Sequence, residues 1–394
     1  MKKLILLPVW VLIVIFISGC TPFFIKENEP VILSNNGNTV NSNVHISSDR
    51  SANLQIESIN SKLTSGIVWD ISKDGSYLLT SKQVDAQLKD SILQNEKFLN
   101  MSIYDIETGQ SNPPVYSNKN QVNGRIDLNN DGYVYLETTS ADQIPNLRLV
   151  WSDNTGDTTK NLSSSNESVS IGYSMVNENT LVYANNRSEI TLVDLDKAIA
   201  GVAGANRTYK LSKKLTIIGV DLWEKENMAV FSTYDDSTKT YDLYIASLNK
   251  KEVAPVLIDS NIRYFTLSKE QGQILYTLAG EKDTQRLILY DLASSTGKLL
   301  KEGYIGLFSF SNSGDKLIFS ERNDPSSNSQ NLWLMKTDGT DSLQLASNLN
   351  VYGYTVVFHP KKDSVYFTVF EINDANTDNR KISYTVYSID YNAS

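Results

Sequence analysis

Phe308-Ser309-Phe310-Ser311-Asn312-Ser313-Gly314-Asp315-Lys316-Leu317-Ile318-Phe319 alternates apolar and polar residues up to an Asn/Gly turn, then enters a second apolar run. Alternation with period two is the mark of a half-buried strand, so the stretch reads as strand, tight turn, strand. The same unit starts at Trp69-Asp70-Ile71 and ends its turn at Gly75; it recurs from Ile126-Asp127-Leu128 to Gly132 and from Phe265-Thr266-Leu267 to Gly272. Three further copies, at Tyr173-Ser174-Met175, Val220-Asp221-Leu222 and Val356-Val357-Phe358, place Asn179, Asn227 and Asp363 in the turn instead of glycine. The outer columns are apolar throughout, while the middle column runs Asp70, Asp127, Ser174, Asp221, Thr266, Ser309, Val357.

A third strand follows each pair, starting at Ile103, Leu149, Leu192, Ile245, Leu289, Leu334 and Val386, at intervals of 43 to 53 residues. Units of this length built only of strands and turns cannot bury both faces alone, and they stack radially as blades. The spacing predicts an all-β fold, a seven-bladed β-propeller of four-stranded antiparallel blades over residues 52–394. After Ile389 too little chain remains for a fourth strand in the last blade. The alternating stretch 53–59 is predicted to supply it, pairing beside 382–389 and removing an open edge.

The repeat resembles the WD40-like repeat of the TolB type, with its aromatic-Ser-x-x-Gly turn ahead of an apolar strand. Gly-His and Trp-Asp pairs of true WD40 repeats are missing except for Trp69-Asp70, which stands in the wrong strand. The resemblance implies a propeller used as a binding platform and leaves the ligand open.

Ahead of the repeats, Lys2 and Lys3 precede an apolar run from Leu4 to Ile17 and then Ser18-Gly19-Cys20, the order of an export signal. The run holds Pro8 and falls short of the roughly 20 residues that span a bilayer. Ile17-Ser18-Gly19-Cys20 resembles the bacterial lipobox, which implies cleavage after residue 19 and diacylation of Cys20, the only cysteine in the chain. Residues 1–19 are then a lipoprotein signal peptide and 20–51, rich in Asn and Ser, a lipidated flexible tether. The expected location is the extracytoplasmic face of a membrane, held through lipid. Cleavage removes two lysines and no acid, taking the net charge from −9 to −11. Such an acidic surface argues against nucleic acid and against anionic lipid as partners.

Loops between second and third strands read as long, at Lys82–Asn100, Ser140–Asn146, Thr233–Tyr241, Gly280–Arg286, Glu321–Asn331 and Glu371–Lys381. Long loops on a rigid frame are the usual binding sites. Residues 84–92 have apolar positions at i, i+4 and i+8, a short-helix pattern that makes Leu88 and Ile92 candidate partner contacts. The Ala/Gly-rich stretch Ala198–Ala205 adds Ile199 and Val202 on the opposite face.

Asp127, Asn129 and Asp131, followed by Gly132, match the opening of an EF-hand loop, but the twelfth position is Thr138, so the bidentate acid that calcium requires is missing. With two histidines, His45 in the tether and His359 beside Pro360, no His-rich metal set forms, and no nucleophile elbow is present. No cofactor is expected. Asp70, Asp127 and Asp221 in one inner column leave a carboxylate mechanism as the enzymatic alternative. The leading expectation is a non-enzymatic lipoprotein recruiting a protein, peptide or glycan. A carbohydrate-active enzyme and a structural subunit of an envelope assembly are the rivals.

Overall fold

The computed structural model describes residues 31–32, 54–85, 97–112, 117, 119–127, 129, 132–138, 146–262, 264–327, 329–373 and 381–393. The strands group into seven antiparallel blades, numbered here in chain order. Blade 1 holds Ile67–Ile71, Tyr77–Asp85 and Lys97–Asp105, with the Tyr104↔Ser111 bridge where a fourth strand would lie. Blade 2 is Asn120–Ile126, Gly132–Thr138, Leu147–Asp153 and Thr159–Asn161. Blade 3 is Ser174–Met175, Thr180–Ala184, Glu189–Asp194 and Asn206–Leu211, with Glu252–Val253 added in parallel. Blade 4 is Thr216–Trp223, Met228–Asp235, Thr240–Ser247 and Val256–Ser260.

Blades 5 and 6 share the continuous strand Thr296–Phe310, whose first part pairs with Gln285–Asp291 and whose second part pairs with Lys316–Arg322. Phe265–Ser268 and Gln273–Ala279 complete blade 5, and Gln330–Lys336 and Ser342–Leu349 complete blade 6. Blade 7 is Val351–Phe358, Ser364–Asn373 and Lys381–Ala393, and its outermost strand is Leu54–Ser65. That strand runs antiparallel to Lys381–Ala393 with Leu54 opposite Ala393, Ile59 opposite Ile389 and Thr64 opposite Val386. The closure by an N-terminal strand is as expected, and it extends six residues beyond Ile59.

Packing explains why the blades close into a ring. Seven apolar clusters are buried, each made by two neighbouring blades: Leu79 and Met101 of blade 1 with Tyr133 and Val150 of blade 2, for example, or Ile318 and Leu334 of blade 6 with Val356 and Phe367 of blade 7. The last joins Val68, Leu78 and Tyr104 of blade 1 to Val357, Tyr366 and Val386 of blade 7. Seven blades with seven seams leave no blade with an uncovered face, which a linear stack would have at both ends.

Turns between first and second strands are tight. Gly75, Gly272 and Gly314 take positive φ there, at 81°, 64° and 74°, and Asn227 takes 48° in the same role. Gly132 does not: it opens the second strand of blade 2, and a Cβ on it would stand 2.3 Å from the Ser152 carbonyl oxygen. Its glycine serves close approach rather than a turn.

The second-to-third loops are shorter than their sequence suggests. Ladder pairing continues through Thr233↔Asp242 to Asp235↔Thr240, leaving only 236–239 as a turn, and through Ala279↔Gln285, leaving 280–284. Polar residues there extend the strands because the ladder is made by the backbone, whether the side chain is buried, as at Thr233, or exposed, as at Asp235. Val84 pairs with Phe98, so the helical reading of 84–92 fails at its first residue; Leu88 and Ile92 lie outside the described residues. Within the expected tether, Val31–Ile32 forms a short strand on blade 6.

Candidate functional site

Ladder register, rather than distance from a glycine, decides which side chains share the propeller axis. Asp70 pairs with Leu79 and Arg125 with Val134, each two residues before the last residue of the first strand's turn bond (Ser72 N to Tyr77 O; Asp127 N to Gly132 O). The axial column is therefore Asp70, Arg125, Ser174, Asp221, Thr266, Ser309 and Val357. All but Val357 are half-buried, and the residues directly after them, from Ile71 to Phe358, are buried. Asp127 is not in the column. It sits at the turn, 5% exposed, and accepts a hydrogen bond from Trp151 Nε1 at 3.0 Å.

The two acids that do face the axis are already engaged. Asp70 Oδ1 accepts from the Ile71 amide and Oδ2 from the Ile126 amide, both at 2.9 Å, which pins blade 1 to blade 2. Burial pushes its carboxyl above the ordinary value, against the opposing pull of the Arg125 guanidinium and the two amides. Arg125 Nη1 donates to the carbonyls of Gly124 and Trp69. Asp221 Oδ1 accepts from the Leu222 amide at 2.8 Å and pairs at 3.3 Å with Lys269 Nζ, which reaches over from blade 5. That ammonium also donates to Ser174 Oγ at 2.9 Å and to the Met175 carbonyl, so one lysine ties blades 3, 4 and 5 across the axis.

On the turn face, side chains link neighbouring blades in sequence. Asn129 Nδ2 donates to Asn179 Oδ1, Asn177 Nδ2 to Glu224, Lys225 pairs with Glu270, Gln271 donates to Ser313 O and Asn312 to Phe358 O. Lys73 of blade 1 pairs with Glu178 of blade 3. Each exposed pair contributes little alone. Asn129 and Asp127 thus face different partners, Asp131 lies outside the described residues, and no group of three His, Cys, Asp or Glu comes together among the described residues.

His359 closes this circle at the seam between blades 7 and 1. Its Nδ1 accepts from the Lys361 and Lys362 amides at 3.0 Å each, and its ring fills the space beside Gly75, where a Cβ would lie 2.3 Å from Cε1. Burial first, and then the Lys362 charge, hold its pKa below 6.5. The unfolded chain therefore takes up a proton at a pH where the folded chain refuses it. Stability is full above about pH 6.5 and falls as the pH drops toward the folded pKa, by at most about 1.4 kcal/mol per pH unit. Melting temperatures between pH 7.5 and 5.5 should fall for the wild type and stay flatter for His359→Asn, which keeps an acceptor and cannot titrate. Asp70, whose pKa is raised, titrates in the opposite sense and is common to both proteins. Parallel curves for the two would remove His359 as the cause.

On the same turn face, at blade 3, Leu195–Ile199 is a five-residue helix capped by Asp194, so Ala198–Ala205 is not wholly a loop. Ile199 packs with Ala198 against the seam of blades 2 and 3, contrary to its expected role as a surface contact; the alternation of a helical turn points it inward. Val202 is 53% exposed and remains at the tip.

No family model and no curated protein matches the chain by sequence. Among solved structures, it is similar to an oligogalacturonate lyase from Vibrio parahaemolyticus at 11% identity and a TM-score of 0.58, over 86% of this chain and 96% of that one. An oligogalacturonate lyase in complex with manganese superposes with a TM-score of 0.59 at 10% identity, over 85% and 94% of the two chains. U3-55K superposes with a TM-score of 0.51 at 9% identity, over 86% and 99%. At such identities the likeness establishes the propeller fold and nothing about chemistry.

Proposed function

We propose that the chain is a lipid-anchored extracytoplasmic binding propeller, which recruits a protein, peptide or glycan through the loops that join second to third strands. The observation that carries this reading is the engagement of the two axial acids by backbone amides and by Lys269. A general acid needs an oxygen free to meet the leaving group, yet both oxygens of Asp70 accept backbone amides and Asp221 is held by Lys269. The inner acids act as staples between blades, which leaves the rim for recognition. The Lys82–Asn100 region, with Leu88 and Ile92, is the first candidate surface; Val202 is the second, on the turn face.

One observation favours a carbohydrate-active enzyme as the second reading: the raised Asp70 carboxyl, in a fold shared with two oligogalacturonate lyases. Asp70→Asn and Asp221→Asn separate the two. With photo-crosslinkers placed in 86–96 and at Val202, the aspartate variants should keep the wild-type adduct, and shortening 86–96 to a tight turn should abolish pull-down of the partner by the otherwise intact chain. Incubation of the purified chain with oligogalacturonate and manganese should yield no cleavage. Cleavage lost by orders of magnitude in either aspartate variant would replace the binding reading with the enzymatic one.

A further inference from the structure

Val31–Ile32 pairs antiparallel with the outermost strand of blade 6, Val31 opposite Ser347 and Ile32 opposite Ala346. Two further observations fit that placement. The first is burial. In Ser342–Leu349 the residues Leu343, Leu345, Ala346 and Leu349 are buried in the seam with blade 7, and Ser347, opposite Val31, is 4% exposed, whereas the outer strands of blades 4 and 5 leave Val256 59%, Leu257 50% and Leu299 52% exposed. The outer strands of blades 2, 4 and 5 face solvent, while those of blades 3 and 6 each carry a further strand.

The second is chain direction. A fourth strand runs from the turn face to the loop face, so an antiparallel Val31–Ile32 arrives from the loop face and leaves toward the turn face. Leu54 enters blade 7 from that same turn face, opposite Ala393. Val31–Ile32 thus points toward, and Leu54 starts from, the same face of neighbouring blades.

We infer that Val31–Ile32 clamps the tether to blade 6 and so holds the anchored propeller with that blade nearest the membrane and blade 3 farthest from it. The inference rests on lipidation of Cys20. Attached only at Leu54, a chain anchored at Cys20 would have 34 residues between the two points and a covalent reach of about 120 Å. Attachment at Val31 cuts the separation to 11 residues and the covalent reach to about 40 Å. A leash that short, attached at one rim, gives the propeller a preferred orientation, which a long leash does not.

The test uses the full lipidated chain in phosphatidylcholine vesicles carrying a lipid acceptor dye. Lipid blocks Cys20, so a donor dye attaches only to an introduced thiol, at Ser326→Cys in the second-to-third loop of blade 6 or at Asn186→Cys in the corresponding turn of blade 3, both exposed. Energy transfer should be several-fold stronger from blade 6, and Val31→Pro with Ile32→Pro, which removes both amides, should abolish the difference. Equal transfer from both sites in a chain that floats with the vesicles would overturn the clamp alone. Failure to float would overturn the lipid anchor, and the clamp with it. In the unlipidated Cys20→Ser chain, exchange of whichever amide of Ala346 and Ser347 faces Val31–Ile32 should be slow and should quicken in the double-proline variant; no change at either would also overturn the clamp.

Discussion

A soluble chain that begins at Gly66 is expected to melt far below one that begins at Ser51, and to aggregate on heating, while the chains beginning at Ser51 and Thr21 melt within a few degrees of each other. The difference lies in Leu54–Ser65. That strand carries the whole outer ladder of blade 7, from Leu54↔Ala393 to Ser65↔Thr385. Removing it leaves the backbone of Lys381–Ala393 unpaired on one side. At about 1 kcal/mol net per ladder bond the loss is several kcal/mol before any packing is counted. The ring also loses its covalent overlap, because the first-built strand and the last-built strands then no longer share one sheet. An edge of this length, rich in Tyr and Ile, is a template for pairing with other chains. Residues 21–50 contribute only the Val31–Ile32 pairing to the described structure, so their loss is small. Scanning calorimetry of the three chains checks this, and equal melting temperatures for the Ser51 and Gly66 chains would show that closure depends on something else.

The architecture was legible in the sequence because its causes are local. Alternation such as Phe308-Ser309-Phe310 follows from one buried and one wet face, and the Gly314 turn from a backbone with φ of 74°; both leave their mark within a dozen residues. Even the closing strand could be read, since a blade short of a strand must borrow one. The axial site was half legible. Asp70 and Asp221 occupy the column expected of them, but Gly132 resembles a turn glycine and is a strand glycine, and counting back from it puts Asp127 where the ladder puts Arg125. Nothing within blade 2 corrects that offset. The partners that neutralise the acids were not legible at all. Lys269 meets Asp221 from another blade, and Asp70 is satisfied by the Ile126 amide, a group every residue type would present. Loop lengths erred for a related reason: Thr233 to Tyr241 is polar and looks like a loop, yet backbone pairing continues wherever two strands stay in register.

Replacing Cys20 by Ser is expected to move the cleaved chain, freed of residues 1–19, entirely from the membrane to the soluble fraction. Among the described residues no helix is long and apolar enough to cross a membrane. A net charge of −11 after cleavage repels anionic headgroups, so electrostatic adhesion is unfavourable as well. On the proposed reading, attachment rests on the acyl chains. Burial of each CH₂ is worth about 0.8 kcal/mol, a single chain gives only marginal and reversible binding, and two together hold a protein for times long beyond any fractionation. Serine keeps the size of the side chain and removes the thiolate on which the lipid is built, so the change isolates the anchor from the fold. Radiolabelled palmitate should enter the wild type and not the variant, and the circular dichroism of the two propellers should coincide. A cleaved, unlabelled variant that still sediments with membranes would show that a protein partner, rather than lipid, keeps the propeller in place.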